Sequence, residues 1–156
     1  WWFFVVMRVA FTATSNDLRV FLGLSGTDPT SNVELSTVTN SIGVCLDSTD
    51  SVWQISSRNS TTTTKTPFPN ELLRSTVFND ANSIWDVYFY AKPNDSTIYV
   101  MIFNPYTNQI VLETQAITST LPSNTVFLSP MLCLSSTTGT AAKTMRVNKI
   151  YMETDL

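Results

Sequence analysis

Hydrophobic and polar positions alternate along most of this chain, most clearly from Ser83 to Pro105, SIWDVYFYAKPNDSTIYVMIFNP. Side chains on a strand point to its two faces in turn, so Trp85, Val87 and Phe89 share one face and Ile84, Asp86, Tyr88 and Tyr90 the other. On the next arm Ile98, Val100 and Ile102 alternate with Tyr99, Met101 and Phe103. Between the arms, Lys92-Pro93-Asn94-Asp95-Ser96 supplies turn chemistry: proline fixes φ, and Asn and Asp tolerate left-handed geometry. A helix is disfavoured because β-branched and aromatic residues crowd the segment and Pro93 would break it. The pattern predicts a central hairpin, with large side chains on both faces and hence some cover on each.

The same pattern recurs on either side. Trp1 to Phe11 reads as a strand with Phe3, Val5, Met7, Val9 and Phe11 on one face and Phe4, Val6, Arg8 and Ala10 on the other. Polar residues 13–17 form a turn into Leu18–Ser25, whose Leu18, Val20, Leu22 and Leu24 point inward while Arg19 and Phe21 point outward; the two runs read as a hairpin. Val33–Val38 carries a short edge element after the Asp28-Pro29 turn signal. Ser41–Asp47, with Ile42, Val44 and Leu46 aligned, and Val52–Ser57, with Trp53 and Ile55 aligned, are further strands. Ser60–Thr66 holds four consecutive threonines and reads as a polar edge strand. Pro67–Asn82 is an exposed loop in which Glu71–Arg74 forms a single helical turn. Gln109–Ile117, Thr125–Leu134 and Lys143–Glu153 complete the set, with Pro130 marking an edge or a bulge and Ser135–Ala141 a flexible link. About ten short strands at intervals of about 8–12 residues, with no normal helix and no dividing linker, predict one all-β domain over residues 1–156, a two-sheet antiparallel sandwich.

Composition sharpens this. Of 156 residues, 43% are apolar and only 13% charged, so Ser, Thr and Asn supply the polar surface, as strand- and turn-rich proteins require. The net charge of -3 and the lack of any Lys/Arg cluster argue against nucleic acid as the main ligand, since such binding rests on phosphate neutralisation. No basic amphipathic helix or long apolar span points to membrane insertion. The opening WWFFVV is too short to span a bilayer and lacks a signal peptide's charged leader and cleavage site; it reads as the start of a strand in a segment of a longer chain. Cys45 and Cys133 lie in apolar runs and read as buried reduced thiols rather than a bridge.

The order of these pieces, RVFLGLSG, SIGVCLDS, VWQI, WDVYFYAKPNDSTIYVMI, LPSNTVFLSP and RVNKIYMETD, resembles the concanavalin A-like lectin/glucanase jelly rolls of bacteriophage and related viral structural proteins. The likeness covers most of the chain from Trp1 to Asp155 and consists of core strands and turns. It implies a jelly-roll topology with one convex and one concave sheet, the concave one binding glycans in some members. It also implies a tail, fibre or capsid-decoration role in a virion, among other virion proteins.

Chemistry is sparse. The chain has no histidine, which removes Ser-His-Asp and Cys-His arrangements and the commonest metal ligand. No glycine loop cradles phosphate. Glycoside hydrolysis needs two carboxylates about 5–10 Å apart, and no strand carries the Glu-x-Asp-x-x-Glu spacing of jelly-roll glucanases. An enzyme is therefore not expected, and neither is a cofactor. For calcium, which takes clustered oxygen ligands, the nearest candidates are Asn94-Asp95 and Asp47/Asp50, which turn formation also explains; no metal is expected.

The sharpest candidate site is a glycan platform of Asp86, Tyr88 and Tyr90, joined by Tyr99 where register allows, with Arg8 or Arg19 within reach of Asp86. The competing reading packs these tyrosines beneath a loop or against a neighbouring subunit. Function accordingly divides between a non-enzymatic virion component, homo-oligomeric and serving assembly or host-surface attachment, and a lectin-like module of a secreted or cell-surface protein that binds a cell-surface glycan. A glycoside hydrolase or lyase stands third.

Overall fold

The computed structural model describes residues 2–11, 18–29, 33–69, 73, 84–136 and 144–154. Their backbone forms ten strands: β1 Phe3–Phe11, β2 Leu18–Ser25, β3 Ser41–Leu46, β4 Gln54–Arg58, β5 Thr63–Pro67, β6 Ile84–Ala91, β7 Ile98–Asn104, β8 Gln109–Ile117, β9 Ser129–Ser136 and β10 Met145–Thr154. They make two antiparallel five-stranded sheets, β10-β1-β6-β7-β8 (sheet A) and β5-β4-β3-β2-β9 (sheet B). The molecule is a β-sandwich, as the alternation predicts. Among the described residues no helix is long and apolar enough to cross a membrane.

The face predicted as inward on each strand fills the space between the sheets. Phe3, Val5, Met7, Val9 and Phe11 of β1 meet Trp85, Val87 and Phe89 of β6, Ile98, Val100 and Ile102 of β7, and Leu18, Val20, Leu22 and Leu24 of β2 in one core. Each such side chain contributes about 1.5–3 kcal/mol on burial. An aromatic cluster bolts the sheets together at one end. Trp53 lies 4.7 Å from Trp85 between ring centroids, and Phe11 reaches both, at 5.9 and 5.6 Å. Phe68, directly after β5, packs on Trp53 and is buried, although it falls in the stretch read as an exposed loop.

The structure corrects two further expectations. Strands β1 and β2 are not a hairpin: β1 pairs with β10 and β6 in sheet A, and β2 with β3 and β9 in sheet B. Alternation reports which side chains share a face, but not whether the next strand pairs alongside or crosses to the opposite sheet. Val33–Val38 is not a strand either. It contains a 3₁₀ turn at Leu35–Thr37 and roofs the outer face of sheet B, where Leu35 and Val38 bury Phe21, Cys45 and Met131 in a second small core. Phe21 points away from the main core, as predicted, yet is fully buried.

Other readings stand. Strand β5 is the polar edge of sheet B, and β9, with Pro130, is its other edge. Tight turns at Asn94 and Asn108 place those residues at φ 57° and 56°, the left-handed region that asparagine tolerates. The helical turn expected at Glu71–Arg74 lies outside the described residues except for Leu73, which bridges to Val52; most of the link expected over Ser135–Ala141 also lies outside them. Cys45 and Cys133 are free thiols as expected, but only Cys45 is buried; Cys133, on the edge strand β9, is half-buried. Both stand opposite Phe21, one on each side of β2. Two strand spacings of about 4.8 Å thus separate them, more than the roughly 7 Å that a disulfide can span. Burial pushes the Cys45 thiol far above its ordinary range and raises Cys133 as well.

Gly23 and Gly43 face each other across β2 and β3 beneath the Phe21 ring. A Cβ on Gly43 would stand 2.5 Å from the Leu22 carbonyl oxygen and 2.7 Å from the ring, so the strand pair closes only without side chains there. Gly43→Ala is expected to destabilise the fold by about 2 kcal/mol, the middle of the overpacking range, as a lowered urea midpoint with unchanged m. A midpoint equal to wild type would show that the ring and strands yield freely.

Candidate functional site

Among the described residues no segment roofs the outer face of sheet A as Val33–Val38 roofs that of sheet B, and the predicted site residues lie there. Register fixes their neighbours. Phe4 of β1 stands opposite Glu153 of β10 and Tyr90 of β6; Val6 stands opposite Tyr151 and Tyr88; Arg8 stands opposite Lys149 and Asp86. On the other side Tyr90 faces Tyr99, Tyr88 faces Met101 and Asp86 faces Phe103. Directly opposed residues have Cβ atoms about 5 Å apart, so the structure brings Asp86, Tyr88, Tyr90 and Tyr99 onto one contiguous surface. Phe4, Tyr88, Tyr90, Tyr99, Met101 and Phe103 are half-buried and Tyr151 is exposed.

Asp86 does not serve as a free acceptor. The Arg8 guanidinium donates from Nε to Oδ1 and from Nη2 to Oδ2, both at 2.6 Å. This is a bidentate fork, the strong geometry for a carboxylate. Asp86 is 4% exposed as a residue, so the partner is needed: an uncompensated carboxylate at that depth would be costly. The hydrogen bond from Arg8, followed by the charge of Asp86, raises the Arg8 pKa further above its already high ordinary value. Burial first, and then the nearby Asp86 charge, raise the Tyr88 hydroxyl. Of the two arginines within reach in sequence, Arg8 takes the pairing. Arg19 lies on sheet B and donates to the carbonyls of Val33 and Ser136.

Tyr90 and Tyr99 form a stacked pair, with centroids 4.9 Å apart and planes at 15°. Lys92 Nζ sits 5.0 Å from the Tyr99 centroid, within cation–π range. The Tyr99 hydroxyl donates to Asp95 Oδ2 at 3.3 Å, and Asp95 Oδ1 accepts from the Thr97 backbone at 3.0 Å. The end of the hairpin therefore joins two aromatic rings, one ammonium and one carboxylate. Toward β10, Phe4 contacts both Tyr88 and Tyr151, at 6.2 and 6.3 Å, which carries the aromatic surface to the sheet edge. Sequence reading did not include Phe4, Met101, Phe103 or Tyr151 in the platform. Their outward phase was legible, but the neighbours of β1 and β10 were not.

The acidic residues weighed for calcium have other duties. Lys65 Nζ donates to Asp47 Oδ2 at 2.8 Å and to Asp50 Oδ2 at 2.6 Å. Asp47 Oδ1 accepts from the Ser36 backbone, and Glu34 accepts from the backbone and hydroxyl of Ser48. Cys45, Asp47 and Asp50 do converge within 4.8 Å, with the ammonium of Lys65 bound to both carboxylates. This network straps the 3₁₀ turn onto sheet B. Asn94 and Asp95 shape the β6–β7 turn. Two clefts, of about 270 and 210 Å³, run along β8, lined by Pro69 and Ile110–Glu113 and by Thr64, Thr66 and Gln115–Ser119. Neither includes the tyrosines, and both fall below the roughly 300–1,000 Å³ of small-molecule pockets.

Removing Arg8 as Arg8→Met leaves Asp86 buried without its partner. The expected loss is about 2 kcal/mol, below the 3–5 of a fully buried pair because Arg8 is partly exposed. Thermal denaturation should show a lowered Tm, largely restored in Arg8→Met/Asp86→Leu. An unchanged Tm in the single variant would mean the fork contributes nothing. The Lys65 network gives a pH test. Burial raises the Asp47 carboxyl, but hydrogen bonds from Lys65 and Ser36 outweigh it and hold the group below 3.8. Burial lowers Lys65, but its bonds to Asp47 and Asp50 hold it above 10.5. The lowered acid contributes stability that is present above pH 3.8 and lost as pH falls through its folded value. The raised base contributes stability that is present below pH 10.5 and lost as pH rises through its folded value. Lys65→Met should lower stability throughout that window and shift the acid limb of unfolding to higher pH; identical acid limbs would remove Lys65 from the account.

Comparison with protein-family models and with curated proteins returned no match to this chain.

Proposed function

We propose that this chain is a non-enzymatic contact module, a concanavalin A-like jelly roll within a virion structural protein of the fibre, tail or capsid-decoration kind. Its contact surface is the outer face of sheet A. The single observation that carries the contact reading is that face: Phe4, Tyr88, Tyr90, Tyr99, Met101, Phe103 and Tyr151 lie in adjacent register rows, half-buried or exposed. Aromatic residues and methionine are enriched where proteins meet, which supports this face as the contact surface. Asp86, the buried acid beneath this face, is held by Arg8, while Glu153 and Asp95 at its margins accept from the hydroxyls of Tyr151 and Tyr99, which supports contact over acid–base chemistry.

The jelly-roll assignment draws on chain order. The path runs from β1 in sheet A through β2–β5 in sheet B, returns through β6–β8 in sheet A, then places β9 beside β2 and β10 beside β1. Late strands returning to flank early ones are the mark of nested Greek keys. The virion assignment rests on the resemblance of the core motifs. Its test is co-fractionation: antibodies to this chain should detect it in gradient-purified particles from the source culture. Recovery only as free protein at the top of the gradient would overturn the assignment.

A second reading, a lectin-like module for a cell-surface glycan, has one observation of its own in the Tyr90–Tyr99 stack beside Lys92 and Asp95. Rings offer apolar faces to sugar C–H groups, while hydroxyl, ammonium and carboxylate serve the sugar hydroxyls. On a glycan array, Tyr90→Ala/Tyr99→Ala should weaken binding about tenfold or more, with the far-UV spectrum unchanged. Undiminished binding by the folded double variant would remove this site.

A further inference from the structure

The four sheet edges are unequal. In sheet B, β5 ends on Pro67 and carries threonines and Lys65, and β9 carries Pro130; proline and lysine are the usual guards of an open edge. In sheet A, β8 carries the exposed Gln109 and Glu113. Strand β10 also carries charge, in Arg146 and Lys149, and differs from these in its inner row. It is the longest strand at ten residues and contains no proline. Its Val147, Ile150 and Met152 stand opposite Val9, Met7 and Val5, whose side chains are completely buried. Yet these three apolar residues on the core-facing side of β10 are 46%, 48% and 41% exposed.

We infer that β10 pairs with β10 of a second copy of this chain, antiparallel about a two-fold axis through Tyr151, continuing sheet A from one molecule into the next. The occupant follows from charge and register. On the outer face of β10 lie Lys149, Tyr151 and Glu153, opposite Arg8, Val6 and Phe4. When Tyr151 faces its own mate, Lys149 faces Glu153 of the other copy, and Glu153 faces its Lys149. On the inner face each Ile150 meets a Met152. Sliding by two residues, the smallest shift that keeps faces matched, either puts Lys149 opposite Tyr151, which loses both ion pairs, or puts it opposite Asp155 in sequence, past the Thr154 end of β10, which shortens the paired run from seven residues of each strand to five. Within one chain Lys149 faces the cationic Arg8, whose charge Asp86 already balances, and lies 5.6 Å over the Tyr151 ring. The register shift between Arg8 and Val9 interrupts β10 near Asn148, so regular pairing begins there and runs through Thr154. An edge complementary to itself by both charge and apolarity suits an isologous dimer. The dimer does not depend on the virion reading, and it would merge two aromatic faces across Tyr151.

The test is sedimentation equilibrium of the purified chain over graded concentrations, with cysteine cross-linking to report register. A concentration-dependent dimer is expected. In a Cys133→Ser background, Tyr151→Cys should oxidise readily to a disulfide-linked dimer, because opposed antiparallel residues have Cα atoms about 4.5–5.5 Å apart. Arg146→Cys should not, since in this register the two copies of that residue lie on the order of 30 Å apart. Glu153→Lys and Lys149→Glu should each raise the dimer Kd about tenfold, because each change acts at two symmetry-related pairs. The double exchange Lys149→Glu/Glu153→Lys should restore it. A monomer at about 100 µM would overturn the proposal, given the nanomolar to micromolar range of specific association. So would cross-linking of Tyr151→Cys no faster than of Arg146→Cys, or a double exchange as weak as either single change.

Discussion

The closing of two sheets over a single apolar layer is the constraint on which every other feature of this molecule depends. Strand β1 shows it most clearly. Its five inward residues are all buried in the common core, while its backbone is paired on both sides, by β10 and β6. Trp53 and Phe68 from the sheet B side meet Trp85 and Phe11 from sheet A in one aromatic cluster, which fixes how the sheets stack at that end. Aromatic pairs in such tilted and edge-on arrangements add about 0.5–1.5 kcal/mol beyond their burial. With the inner faces consumed in this way, only outer faces and edges remain for recognition.

The two outer faces are finished differently. Sheet B is roofed: the segment from Val33 to Asn40 lies over Phe21 and the Gly23–Gly43 slot, fastened by Lys65, Asp47, Glu34 and Arg19. Most of the charge on that side is thereby spent on holding a loop. On sheet A one fork, Arg8 with Asp86, neutralises the acid within a strongly apolar strand, and among the described residues no comparable strap crosses the aromatic rows beside it. In a chain with only 13% charged residues, this division of polar effort leaves the two outer faces chemically unlike, and the proposed contact surface is the less strapped of them.

The strands themselves were legible because a half-buried strand imprints its period on the sequence. The inward sets of β1, β2, β3 and β6, and the polar edge β5, follow from that imprint alone. Partnership left no such mark. The β1–β2 connection looked like a hairpin because a short polar turn serves equally well for pairing alongside or crossing over. The second core escaped because Val33, Leu35 and Val38 follow no strand or helix period, and because an outward Phe21 reads as exposed until its roof is known. Asp86, Tyr88 and Tyr90 were visible as outward residues of one strand. What they touch is a matter of register: Arg8 lies 78 positions away in sequence and reaches Asp86 only because β1, and not another strand, lies beside β6. Tyr99 was tied to Tyr90 by the hairpin itself, where a short turn leaves little freedom of register.

Those differences in legibility bear on function. Catalysis by carboxylates needs an acid whose charge is held in suspense, with a neighbour that raises its pKa or a mate across a groove. Of the acids among the described residues, the two that lie deepest are both engaged, Asp86 by the Arg8 fork and Asp47 by Lys65 and the Ser36 backbone. The outer face of sheet A instead presents aromatic rings and apolar side chains set shallowly out to its β10 edge. Broad, shallow, aromatic surfaces gain free energy by excluding water over area, which serves a partner of comparable breadth better than a small substrate that must be enclosed. The proposal of a contact module draws on that balance.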